Sequence, residues 1–314
     1  MNRALGYPAQ RRWRGAQALR RVRRHGQLLL FLLPALLYFA VFHLYPLYGL
    51  QLAFKDYRVT EGIWGSPWVG LAHFERLFNS YSFPALVRNT ALLSLYQLLF
   101  FPLPVIAALA LHEVRSGALK RAAQTVLLAP HFISVVVLVG MLSSFLHPTT
   151  GVVNHLLRLL GGAPVAFMTD PGWFRTVWVL SGEWQGLGWG AIIYLAALAS
   201  VDPQLHEAAV IDGASRLQRV WHINLPSLVP TLVLLLLLQL GGTMSVGFEK
   251  VYLMQNPLNL EVSEVLQTYV YKAGLLGAQI GFGTAVGLFN AVVNLALLLG
   301  FNGLARRVAG VGLW

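Results

Sequence analysis

Cysteine is absent from the 314-residue chain. That excludes disulfides, thiolate metal sites and cysteine nucleophiles. Charge is scarce too: Asp, Glu, Lys and Arg make up 11% of the residues, where a soluble domain carries roughly 25%. No Gly-Lys dipeptide occurs, so the chain has no G-x-x-x-x-G-K-[ST] loop to cradle nucleotide phosphates. His112-Glu113 and His206-Glu207 begin like zinc-protease helices, but Ser116 and Val210 stand where the second histidine belongs. No G-x-S-x-G elbow is present either. Bond-breaking chemistry is left without a recognisable centre.

What the chain has in abundance is apolar length, with 56% of its residues hydrophobic. A bilayer core takes roughly 20 apolar residues in a helix. Six stretches meet that approximately: 27–49, 85–111, 124–146, 176–200, 228–248 and 281–303. The expected fold is therefore an all-α membrane protein of about six transmembrane helices. The first run, Leu28 to Leu50, is too long for a signal-peptide core and no small-residue cleavage site follows, so it reads as a retained first span.

The basic residues set the expected orientation. Residues 1–26 hold eight arginines and no acid, and Arg115, Lys120, Arg121, Arg216, Arg219, Arg306 and Arg307 fall on the same side. That side carries fifteen of the 23 basic residues and the other carries eight. Cytoplasmic loops hold the excess of Lys and Arg, so both termini are expected in the cytoplasm. The expected organisation is a basic cytoplasmic segment 1–26, a membrane domain 27–303 and a cytoplasmic tail 304–314. The net charge of +11 is explained by topology and by anionic lipid headgroups; no nucleic-acid partner is expected. Pro34, Pro46, Pro102, Pro104 and Pro130 fall inside spans, where they either kink helices that must move or mark irregular packing. Gly186/Gly190, Gly277/Gly281 and Gly283/Gly287 have small-xxx-small spacing, which allows close helix approach.

The loop at 201–227, VDPQLHEAAVIDGASRLQRVWHINLPS, is more patterned than a connection needs. Asp202 can cap a helix whose first turn holds Pro203. Gly213 can end that helix in a left-handed turn. Ser215 and Gln218 are spaced as a capping box for a second short helix. Pro226 is expected to separate that second helix from the next span. Small Ala208, Ala209 and Ala214 with Glu207 suit either close approach by a partner protein or an interfacial loop with none.

Glu207-Ala208-Ala209, Asp212-Gly213-Ala214 and Ile223-Asn224-Leu225-Pro226 together resemble the EAA loop of binding-protein-dependent ABC import permeases. Gly188-Trp189-Gly190, Gly247-Phe248-Glu249-Lys250-Val251-Tyr252 and Thr268-Tyr269-Val270-Tyr271 look like the polysaccharide and oligosaccharide branch of the sugar permeases, which includes alginate importers. The resemblance implies a type I importer-like fold with a cytoplasmic coupling helix. It implies that Glu207, Ala208, Ala209, Asp212 and Gly213 contact an ATPase subunit. It also implies partners: a second, distinct permease subunit, two copies of an ATPase that carries ATP and Mg, and an external solute-binding protein. The cargo would be an oligo- or polysaccharide, with alginate-like uronates included. The location would be the bacterial inner membrane. No cofactor is expected in this chain.

Candidates for the solute path are the aromatic and polar residues within spans. Glu183, Trp184, Gln185, Trp189 and Tyr194 lie in the fourth, Gln239 in the fifth, and Asn290 and Asn294 on one face of the sixth. Each either lines a wet cavity or holds helices together. The long outer loops suit either docking of an external protein or a cover over the bundle. Three readings compete with an ATP-driven saccharide permease: a permease for another solute class, an ATP-independent carrier or channel, and a membrane-embedded enzyme.

Overall fold

A computed structural model describes residues 26–313; the basic segment that precedes them, and with it most of the expected N-terminal region, lies outside the described residues. Ten helices position everything that follows. They are α1 (Gly26–Phe39), α2 (Phe83–Leu99), α3 (Pro102–Glu113), α4 (Gly117–Leu128) and α5 (Val135–Phe145), then α6 (Pro171–Ala199), α7 (Pro203–Ile211), α8 (Leu225–Gly241), α9 (Phe248–Met254) and α10 (Ile280–Ala309). Further helical segments, Val152–Leu159 among them, join them, and no strand forms among the described residues.

Four helical stretches are long and apolar enough to cross a bilayer: Leu30–Phe54, Phe83–Glu113, Arg216–Gly241 and Ile280–Val308. Two bent pairs bring the number to six. One is Gly117–Phe132 with Val135–Phe145, bent by 98°; the other is Pro171–Ala199 with Pro203–Ile211, bent by 73°. Short polar side chains start several helices by accepting from backbone amides. Ser134 caps α5 through Val137, Asp170 caps α6 through Gly172, and Asp202 caps α7 through Gln204.

α6 is the axis of the molecule. Its 29 residues make a rod about 43 Å long, and α2, α3, α4 and α8 pack around it. The C-terminal part of the rod buries Ala191, Tyr194 and Leu198 against Val105, Ala108 and Leu228. Its N-terminal part buries Phe174, Val177, Trp178 and Val179 with Val251, Met254 and Val265. A side chain at Gly188 would drive into the backbone of Leu127 and Leu128, whereas Gly186 faces open space. Gly188→Leu is therefore expected to cost about 1–3 kcal/mol of stability by overpacking and Gly186→Ala almost nothing, read as melting temperatures of the purified protein in detergent.

Four expectations about span shape change. The first helix runs on through a π turn, Ala40–Leu44, and a 3-10 turn, Tyr45–Phe54. The second span is divided at Phe100–Phe101, and Pro102 sits in the first turn of α3, where its missing N–H costs nothing. Pro226 does not separate the short helix at Arg216–Arg219 from the next span. A π turn at Val220–Asn224 joins them, and Pro226 falls in the first turn of α8. The fifth span stops at Gly241 rather than near residue 248, and α9 follows as a separate short helix after a turn.

Candidate functional site

Two features stand out, at different depths. The first is α7 with the turn that ends it. The Asp202 carboxylate accepts from the Gln204 amide at 2.9 Å, and Pro203 follows in the first turn. At the far end Gly213 adopts φ +80°, and Ala214 N–H donates to the Ala209 carbonyl at 2.8 Å. That bond needs the left-handed turn that glycine adopts without strain. The box beyond it is formed in both directions: Ser215 N–H donates to Gln218 Oε1 at 2.7 Å, and Gln218 N–H to Ser215 Oγ at 3.4 Å. Glu207, Ala208, Asp212 and Gly213 are exposed and Ala209 is half-buried. No residue of α7 is buried, and Ile211 is 85% exposed beside exposed Leu205 and Val210. His206 lies beside His112 of α3, with ring centroids 6.3 Å apart. Among the described residues no group of three His, Asp or Glu side chains is placed to hold a metal ion.

The second feature is a cavity of about 480 Å3 where α2, α5, α6 and α9 meet. Gln97, Glu183, Gln185, Ser245, Glu249 and Lys250 supply its polar lining. Lys250 is buried, donates from Nζ to the Trp178 carbonyl at 2.7 Å, and holds its ammonium 5.4 Å from the centre of the Trp178 ring. α9 lies outside the six spanning stretches. Burial there pushes the Lys250 ammonium down to about 8, opposed by the nearby Glu183 charge.

The family described as "Binding-protein-dependent transport system inner membrane component" matches residues 101–310, and the exposed α7 falls inside that match. The chain belongs to it. The permease is 42% identical over 302 residues to Protein LplB of Bacillus subtilis strain 168, covering 96% of this chain and 95% of that protein. It is 44% identical over 288 residues to the polygalacturonan/rhamnogalacturonan transport system permease protein YteP of the same organism, covering 91% and 90%. Among solved structures it resembles a chain of a bacterial ABC transporter involved in importing the acidic polysaccharide alginate. That likeness has a TM-score of 0.86 and 41% identity, and covers 93% of this chain and 99% of that one.

The permease brings only some of the path candidates together. Glu183 and Gln185 share the polar cavity. Gln239 lines a neighbouring cavity of about 350 Å3 that has Gln97 and Ser245 in common with the first. Trp184 turns instead to an apolar groove formed with Leu138, Phe145 and Trp173. Trp189 is half-exposed and stacks on His131 at 4.8 Å. Tyr194 is packed in the core and lines no cavity described above. Asn294 clasps the turn between α8 and α9: its Oδ1 accepts from Met244 N–H at 2.8 Å and its Nδ2 donates to Ser245 Oγ at 3.2 Å. Asn290 presents a buried Oδ1 without a partner among the described residues. Sequence reasoning did not single out Gln97 or Ser245, and it noted Lys250 only within a family motif and not as a path residue. Gln97 lies about 150 residues before Ser245 and Lys250 in the chain, a separation that local spacing cannot report.

Proposed function

We propose that this inner-membrane ABC permease forms half of a saccharide path and couples it, through α7, to a separate ATPase subunit. The observation that carries the reading is the exposure of α7. Leu205, Val210 and Ile211 stand exposed on a helix with no buried residue, and apolar surface of that kind is covered in a working assembly. Glu207, Ala208, Ala209, Asp212 and Gly213 make the contact. The ATPase carries ATP and Mg, because this sequence has no phosphate-cradling loop. Its closure pushes on α7, whose short connection to α6 passes the displacement to the rod that walls the polar cavity.

A second membrane subunit completes the path. The stretch Leu30–Phe54 is apolar and exposed throughout its span-length window, which leaves it facing lipid or another subunit. The cargo class is supported by the polygalacturonan/rhamnogalacturonan permease relative and by a bacterial alginate transporter solved in complex with an alginate pentasaccharide-bound periplasmic protein, to a chain of which this one is 41% identical. We extend the same partner, an external solute-binding protein, to this permease. Both termini face the cytoplasm, in line with the charge distribution. Purification through a tag on this chain is expected to bring down a second permease and an ATPase, and the complex is expected to hydrolyse ATP faster when loaded binding protein is added. A chain that purifies alone and moves saccharide without ATP would contradict the reading.

A further inference from the structure

The ammonium of Lys250 is buried, with 8% of the residue exposed, at the wall of the polar cavity. It has three donors and one acceptor, the Trp178 carbonyl. That carbonyl already serves its own helix, where the amide four residues on is its regular donor, and Ser181 Oγ also points to it at 3.3 Å. Among the described residues no carboxylate lies within 4 Å of the ammonium. On the same wall the Trp178 indole N–H is buried without an acceptor. Gly182 leaves the hollow in which the ammonium sits: a Cβ there would stand 3.1 Å from Nζ. A desolvated cation with spare donors beside an unpartnered N–H is a poor way to hold two helices together. Each missing acceptor costs free energy that a ligand oxygen would recover.

We infer that Lys250 is a specificity-determining residue of the solute path, receiving the carboxylate of a uronate unit in the cavity beside Trp178. The inference rests on the saccharide-permease reading above. The cavity holds both signs of charge, so it does not collect anions in bulk; it places one carboxylate. Lys250 takes the acid group, while Glu183 and Gln185 on the facing stretch of α6 take sugar hydroxyls, which a neutral sugar also carries.

The test is equilibrium binding to the complex purified with its partner subunits and without binding protein, read by tryptophan fluorescence. The probes are a galacturonate tetrasaccharide and the same tetrasaccharide methyl-esterified on its carboxyls. The wild type is expected to bind the acid at least about tenfold tighter than the ester, which is about 1.4 kcal/mol. Lys250→Met, which removes a buried charge while keeping an unbranched side chain of nearly the same length, is expected to bind both at the ester's level with an unchanged melting temperature. Gly182→Ala keeps the lysine but crowds its seat, and is expected to lose part of the preference; it serves if the methionine variant does not fold. Glu183→Gln is expected to weaken both probes alike. Equal binding of the two probes by the wild type, binding of neither, or a parallel loss of both in Lys250→Met would overturn the inference. Uptake of the acid by the complete complex, measured alongside, separates the two claims: uptake without acid preference sinks the role of Lys250 alone, and absence of saccharide uptake sinks the underlying reading.

Discussion

Gly213→Val is expected to cut ATP-driven uptake at least about tenfold while the complex still assembles in the membrane. The backbone there sits at φ +80°. A side chain in the left-handed region costs about 1–2 kcal/mol, and a β-branched one is a genuine outlier there. Relieving the strain means opening the turn, which breaks the Ala214-to-Ala209 bond and swings the end of α7 away from its seat. Nothing lies within 4 Å of a Cβ at this position, so the effect is conformational rather than steric. Gly213→Asn is therefore expected to retain most of the uptake, because asparagine tolerates that conformation. Uptake assayed beside the amount of ATPase recovered with the tagged permease distinguishes lost coupling from lost assembly. Equal activity for valine and asparagine would mean that the turn is not part of the contact.

Gln185→Leu is expected to destabilise the permease by about 1–3 kcal/mol and to lower uptake with it. The side chain does more than line a cavity. Its Nε2 donates at 2.6 Å to the carbonyl of Ile133, at the corner where the third span bends by 98°. Pro130 lies in the 3-10 turn just before that corner, and Ser134 caps the helix just after it. Backbone that leaves a helix at membrane depth must find partners inside the protein, and Gln185 provides one across from α6. Leucine matches the volume but donates nothing. Gln185→Glu loses the donor when ionised and is expected to be at least as damaging. A melting temperature unchanged by Gln185→Leu would show that the corner is held by other contacts.

Gln185 also marks where the sequence stopped being legible. It reads as a polar residue in a span, and no local pattern says whether such a residue faces solute or a bent backbone. The α7 segment was legible because its signals are local: Asp202, Gly213 and the Ser215–Gln218 pair each act within about one and a half helical turns, and each forms the cap or turn expected of it. The spans were legible as apolar runs, but their bends were not, since apolar residues suit both faces of a broken helix in lipid. Pro226 shows the same limit from the other side. A π turn ahead of it absorbs the missing N–H, so the helix passes through a residue that usually ends one. Lys250 was hidden for a different reason. Its partners Trp178 and Gly182 lie about 70 residues earlier, beyond the reach of local spacing.

The most direct measurement uses the absence of cysteine. In Ala209→Cys the only thiol of the permease sits on α7. The account predicts that this thiol crosslinks to the ATPase subunit in the intact complex and stays unlabelled when whole cells meet a membrane-impermeant maleimide. Labelling from outside the cell, or an assembled complex in which no crosslinker joins residue 209 to the ATPase, would contradict it.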